Sequence, residues 1–300
     1  MTFVLRLIQE KCREQHKELF AVFVDLCKAF DTVNRELLWQ VLARFGCPAR
    51  FVEAIKAFHT GMYASVSAAG DVSEPFHVFS GVKQGCVLAP VLFNLFIAAV
   101  LHVFRMNMDE ESNGIPMRYR YDGGGLFHLA RLKAHSKCGS VTVSELQYAD
   151  DAAFLSHTAS GVQSSVDMVH SAYSRAGLSM NLTKTEVLAQ HAGDMPPQIY
   201  VNNQELPSTE KFTYLGSVIT SSCSLDEEIL RRIGLASSAL GRLTHRVFLN
   251  HSLSLDTKKA VYQAICLSIL LFGCESWALY RNHFRNWNPF TARVFRRCWE

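Results

Sequence analysis

Six apolar residues, Leu19-Phe20-Ala21-Val22-Phe23-Val24, run straight into Asp25. An apolar run without alternation fits a strand covered on both faces. An acid that closes such a strand is costly to bury unless it is paired or binds a metal. The stretch therefore demands a sheet with neighbours on both sides, and it demands a partner for Asp25.

A second acidic feature lies at Tyr148-Ala149-Asp150-Asp151. Val141, Val143 and Leu146 precede it, and Ala152, Ala153, Phe154 and Leu155 follow. Apolar runs on either side of a short polar break predict a β-hairpin, with both carboxylates at its tip. Adjacent like charges repel and persist where something positive compensates them. An Asp-Asp pair is also what a plain solvated turn would carry, since Asp tolerates turn geometry. If the Asp25 strand lies beside this hairpin, three carboxylates converge. That set suits two hard divalent cations, which phosphatases, nucleases and polymerases hold roughly 3.5–4 Å apart to clamp an in-line phosphoryl displacement.

The chain has 300 residues, 49% of them hydrophobic, enough for one large domain or two ordinary ones and against wholesale disorder. A formal net charge of +3 is compatible with nucleic acid without arguing for it. Basic clusters say more: Arg131, Lys133 and Lys137 with His128 and His135; Arg231 and Arg232; and Arg281, Arg285, Arg293, Arg296 and Arg297. Nine scattered cysteines without a C-x-x-C pair indicate neither a disulfide framework nor a zinc site, and reduced thiols inside the cell, in nucleus or cytoplasm, are the simpler account. The N-terminus turns charged too soon for a secretory signal. Val91–Phe104, interrupted by Asn94 and His102, is too short to span a bilayer and predicts a buried helix, so no membrane is expected.

Along the chain, Phe3, Val4, Leu7 and Ile8 predict a helix. Asp31–Asn34 offers N-cap candidates for a helix carrying Leu37, Leu38, Val41, Leu42 and Phe45, stopped by Gly46. Pro48 opens another, with Phe51, Ile55 and Phe58 on one face. Met62–Ala68 and Phe76–Phe79 predict two strands about Gly70-Asp71. The glycine-punctuated loop from Gly81 feeds the Val91–Phe104 helix, and residues 105–125 predict a mobile loop. Ser160–Ala176 has helical period, with Gly177 capping it. Phe212–Ile219 predicts a strand holding Tyr214-Leu215-Gly216. Ile229, Ile233, Ala236, Leu240 and Leu243 mark one long helix; Val261, Ile265, Leu267, Leu270 and Leu271 mark another. A boundary is expected near residue 221.

In this order, FVDLCKAFD, GVKQGCVLAP, YADD, GLSMNLTKT and YLG resemble the palm motifs of reverse transcriptases, above all the non-LTR (LINE-type) retrotransposon enzymes. GCESWALYR is similar to their thumb region. The resemblance covers residues 5–298. It implies an α+β right-hand polymerase: a palm with an antiparallel sheet packed by helices over residues 19–220, a helical thumb over 221–300, and fingers largely missing, with 1–18 a remnant of their last helix. It further implies that a fingers segment and an endonuclease domain normally precede such a palm, so the chain reads as a fragment.

By the same resemblance Asp25, Asp150 and Asp151 are catalytic and bind two Mg²⁺ ions, with Mn²⁺ an alternative. Phe30 would lie under the incoming sugar and exclude a 2′-hydroxyl, the group by which proteins tell RNA from DNA. Gln84 would contact nucleotide or template, with Gly81 and Gly85 letting backbone approach. Lys184 would stand near the leaving pyrophosphate. Tyr214, Leu215 and Gly216 would grip the primer. A core aromatic at 30, a surface lysine at 184 and turn packing at 214–216 are the bland counterparts. The implied partners are an RNA template, a DNA primer and deoxynucleoside triphosphates. The implied activity is RNA-directed DNA polymerisation; the alternative is an inactive palm–thumb remnant that only binds nucleic acid.

Overall fold

The computed structural model describes residues 1–106, 108, 114–120, 138–190, 197–281 and 283. The basic cluster at 128–137, the Gly123–Gly125 run, most of the 105–125 loop and Arg285, Arg293, Arg296 and Arg297 lie outside the described residues. The chain divides into two compact units: Lys17–Thr209, and Met1–His16 together with Glu210–Glu300.

The Lys17–Thr209 unit is built on a five-stranded sheet in the order Ser208–Thr209, Glu186–Gln190, Leu19–Val24, Asp151–Ser156, Glu145–Tyr148. All pairs are antiparallel except the short first one. Leu19–Val24 sits in the middle with every residue buried, as its unbroken apolar run requires. Phe20, Val22 and Val24 alternate onto the face that joins the main core. Two helices cover that core: Ala89–Met106, through Phe93, Phe96 and Phe104, and Ala159–Arg175, through Val162, Val166, Val169 and Tyr173. Burying each large apolar side chain stabilises the unit by about 1.5–3 kcal/mol. Phe104 meets Phe154 of the sheet edge-on at 5.4 Å, fixing helix to hairpin.

Several expectations change. The Ala89–Met106 helix has 18 residues and is, among the described residues, the one long and apolar enough to cross a membrane. Its apolar character is accounted for by the core: eight of its residues are buried there. In Ala49–His59 the buried face is Val52, Ile55 and His59, while Phe51 and Phe58 are exposed. Both sets have helical spacing, and only the neighbour decides between them; here the ring of His59 meets Trp39 edge-on. Val141 and Val143 belong to a separate ladder, Cys138–Val143 with Ile115–Arg120, so the first arm of the acidic hairpin is Glu145–Tyr148 alone. The expected pair of strands between Met62 and Phe79 is two short ladders, Tyr63–Ala64 with Phe76–His77 and Ser67–Ala68 with Asp71–Val72.

In the other unit, Thr2–Glu14 buries Leu5, Ile8 and Cys12. Arg6 donates to the Val218 carbonyl at 2.8 Å and Gln9 to that of Thr220 at 3.0 Å. This helix thus packs with the C-terminal residues. The expected single strand at 212–219 is a hairpin, Lys211–Tyr214 with Ser217–Thr220. Asp226–Leu243 is the long helix expected, with Ile229, Ala236 and Leu240 buried. The second is interrupted: Leu255–Val261 continues through a π-helical stretch, Tyr262–Leu267, into Ser268–Leu270.

Candidate active site

Asp25 leaves the central strand one residue past the ladder. Val24 pairs with Ala152, and the same register continued by one residue sets Asp25 opposite Asp151. Tyr148 pairs with Asp151 and closes a two-residue turn, Ala149-Asp150. Ala149 holds φ at 52°, a left-handed conformation that costs an L-residue roughly 1–2 kcal/mol. Strain of this kind concentrates at functional turns. The Asp151 carboxyl is pushed above its ordinary value, first by burial, then by Asp150 and Asp25. Its charge is thus opposed by its surroundings and by both neighbouring acids.

Asp25 is held from a second side by Gly177–Thr185. Cys27 N–H donates to Ser179 at 2.9 Å, Leu26 bridges Met180, and Asn181 N–H donates to the Asp25 carbonyl at 2.9 Å. The Asn181 amide then donates to Asp25 Oδ2 at 3.1 Å, and Lys184 Nζ lies 3.7 Å from the same oxygen. Lys184 is 70% exposed, so this pair contributes little to stability. What it does is place a mobile cation beside the acid. Among the described residues, no group of three His, Cys, Asp or Glu side chains is assembled closely enough to hold a metal ion. The centre has the charge a cation needs, in Asp25 and Asp151, but not a closed ligand cage.

The glycine loop is anchored beneath this centre. Phe30, on the single turn Ala29–Thr32, is half-buried and stacks on Phe93 at 4.4 Å. Its carbonyl accepts from Val82 N–H at 2.8 Å, and Gly81 N–H donates to Val33 at 2.9 Å. Gly81 has φ +80°, and a Cβ there would stand 2.5 Å from the Asp31 carbonyl oxygen. Glycine is required by space as well as by conformation. Gly85, at φ +84°, has nothing within 4 Å, so only its conformation asks for glycine. Gln84 is exposed.

Tyr214-Leu215-Gly216 lies in the other unit, at the tip of the Lys211–Thr220 hairpin. Leu215 and Gly216 have φ of 48° and 78°, the pattern of a tight hairpin turn with both central residues left-handed. Tyr214 is buried. The turn is clamped from below. Glu228, fully buried, accepts from Val218 N–H at 2.7 Å and from Arg232 Nε at 2.7 Å. Arg232 and Arg231 both donate to the Gly216 carbonyl, Arg231 at 2.9 Å. The Arg232 guanidinium lies 4.4 Å over the Phe272 ring. Arg232, an expected part of a basic cluster, is therefore buried and committed to the protein.

The model of the family "Reverse transcriptase (RNA-dependent DNA polymerase)" matches residues 2–219. The chain belongs to this family. It is 24% identical over 294 residues to the Retrovirus-related Pol polyprotein from type-2 retrotransposable element R2DM of Drosophila melanogaster, covering 92% of this chain and 25% of that protein. It is 24% identical over 276 residues to the RNA-directed DNA polymerase from mobile element jockey of Drosophila funebris, covering 92% and 28%. The chain thus spans about a quarter of the length of these curated relatives. Apo telomerase from Candida tropicalis superposes with a TM-score of 0.52 at 13% identity, over 99% of this chain and 46% of that one. The same organism's telomerase in complex with the TWJ fragment of telomeric RNA gives 0.51 at 14% identity, over 98% and 42%. These likenesses show the right-hand polymerase fold. Reverse transcriptases as a family use divalent metal ions and an RNA template.

Two residues that hold Asp25 and the glycine loop in place carry no role in the sequence reading. Asn181 holds Asp25 by backbone and side chain. Arg35 donates from its guanidinium to the carbonyls of Gly81 at 2.8 Å and of His59, Val78 and Ser80 at 3.0 Å each. A cation at the first position of a helix opposes the helix dipole. That mismatch was a readable signal that Arg35 serves something outside its own helix.

Proposed function

We propose that the chain carries the polymerising centre of a non-LTR retrotransposon reverse transcriptase, adding deoxynucleotides to a DNA primer 3′-hydroxyl on an RNA template. The observation that carries this reading is the register that, continued one step past Val24, sets Asp25 opposite Asp151, with the Asp151 carboxyl raised first by burial and then by Asp150 and Asp25. Two carboxylates facing each other, with only the exposed Lys184 beside Asp25 to offset them, fit divalent ions. Asp25, Asp150 and Asp151 would hold two Mg²⁺, with Mn²⁺ a substitute. When bound, such ions lower the barrier by charge stabilisation at the attacking and leaving oxygens. The chain's own residues do the rest. Asn181 keeps Asp25 aimed. Lys184 offers a proton or a charge to the departing pyrophosphate. Gln84 and Gly85 present the loop to nucleotide or template, and Phe30, braced by Phe93, limits the sugar. Tyr214, Leu215 and Gly216 engage the primer.

The second reading is a remnant that binds nucleic acid without catalysis. Extension of a labelled primer on an RNA template with Mg²⁺ separates the two. Extension that Asp150→Asn abolishes supports the enzyme; binding without extension supports the remnant. Mg²⁺ should also raise the melting temperature by mass action, and Asp151→Asn should remove that rise. An undiminished rise in the variant would place the ions elsewhere.

A further inference from the structure

On the rim of the Lys17–Thr209 unit, Tyr63, His77 and Phe79 form an aromatic ladder. Tyr63 and His77 face each other across a ladder pair with ring centroids 3.9 Å apart. His77 and Phe79 occupy alternate positions, hence one face, with centroids 5.3 Å apart and planes within 22°. The rings are not covered: Tyr63 is 57% exposed and Phe79 is 83% exposed. Ordinary core packing explains neither the stacking nor the exposure. The ladder borders a groove of about 770 Å³ whose charged lining is Arg35 and Lys56 against Glu36, with the rings of His59 and His77 beside them. Lys56 also pairs with Glu53 outside the groove at 3.4 Å, exposed and weak.

The ladder is continuous with the candidate site. Phe79 lies two residues before Gly81, and Arg35 grips the carbonyls of Val78, Ser80 and Gly81 around it. The same clamp therefore fixes Phe79 and the loop that presents Gln84. We propose that Tyr63, His77 and Phe79 are a stacking platform for unpaired bases of a single-stranded RNA, feeding the template toward the glycine loop. This rests on the reverse transcriptase reading. The chemistry is general: every base has a π-face, and aromatic rings beside a net-positive groove bind single strands without sequence readout. With its five donors taken up by backbone carbonyls and the Met62 sulfur, Arg35 supplies field and Lys56 supplies the phosphate contact.

The test uses the full chain and an RNA oligonucleotide of about ten bases carrying 2-aminopurine. Stacking should quench the fluorescence on binding. Phe79→Ala should weaken binding about tenfold, the equivalent of about 1.4 kcal/mol, and should abolish most of the quench; Phe79→Trp should retain both. An oligonucleotide with one abasic position should lose affinity for the wild type but not further for Phe79→Ala. Because Phe79 is so exposed, its replacement leaves folding intact. Equal affinity of wild type and Phe79→Ala would overturn the platform. So would a change of oligomeric state in Phe79→Ala with RNA binding unaltered, which would make the ladder a protein contact. Asp150→Asn separates the two claims: it should stop extension and leave the quench unchanged.

Discussion

Tyr173 shows what a single buried atom costs. Its side chain is fully buried, its hydroxyl has no hydrogen-bond partner among the described residues, and burial holds its pKa far above the ordinary tyrosine range. An unsatisfied buried hydroxyl destabilises by about 1–3 kcal/mol. Tyr173→Phe should therefore raise the denaturation midpoint, by about 1 kcal/mol in stability once lost dispersion is counted. A lower midpoint would mean that the hydroxyl has a bonding role. At this scale the sequence is uneven. Asp25 was legible because six apolar residues allow one kind of strand. Asp150 and Asp151 were legible as a turn. Asn181 was not, since a polar residue in coil has many uses and its partner is 156 positions away. Arg231 and Arg232 were legible as charge, but nothing local tells that Gly216 and Glu228 consume them.

Among elements, the glycine loop permits a sharp contrast. Gly81 and Gly85 have similar φ, but only Gly81 faces backbone at 2.5 Å. Gly85→Ala should cost about 1 kcal/mol, from conformation alone. Gly81→Ala should cost about 3 kcal/mol or more, because the Asp31 backbone must move. Urea midpoints of the two variants measure this, and equal costs would deny the close approach. The Leu215-Gly216 hairpin makes a second case. Glu228→Gln leaves Arg232 buried without its counter-charge and should cost about 3–5 kcal/mol, whereas replacing both by well-packed apolar residues should recover most of it. If the single variant is neutral, the clamp does not hold the turn. This hairpin was misread as one strand because leucine at positive φ is uncommon in sequence statistics. The Ala49–His59 helix was misread for another reason: period fixes that a helix has an apolar face, and packing partners choose which one.

For the molecule as a whole, the unit boundary makes the strongest claim, because the chain's first sixteen residues are grouped with its last ninety-one rather than with the sheet that follows them. The sequence placed Thr2–Glu14 by its order along the chain. Its contacts are long-range: Arg6 and Gln9 reach Val218 and Thr220, 212 and 211 positions on. If Lys17–Thr209 is a folding unit, it must close its own core. It does so among the described residues: the cluster that contains Phe20, Phe93, Phe96, Phe154 and Tyr173 draws on no residue outside Lys17–Thr209. A chain of residues 17–209 should therefore melt cooperatively by itself. Residues 1–209 should melt at nearly the same temperature, with Leu5, Ile8 and Cys12 left uncovered and binding a hydrophobic dye. Residues 17–300 should show the converse: a sheet unit that melts normally and a C-terminal unit loosened by the loss of that helix and of its hydrogen bonds to the hairpin. Circular dichroism melts with dye binding on the three chains decide it. A fragment 17–209 that is unfolded, or a 17–300 chain whose hydrogen exchange over residues 211–243 matches that of the full chain, would show that the helix does not belong to the C-terminal unit.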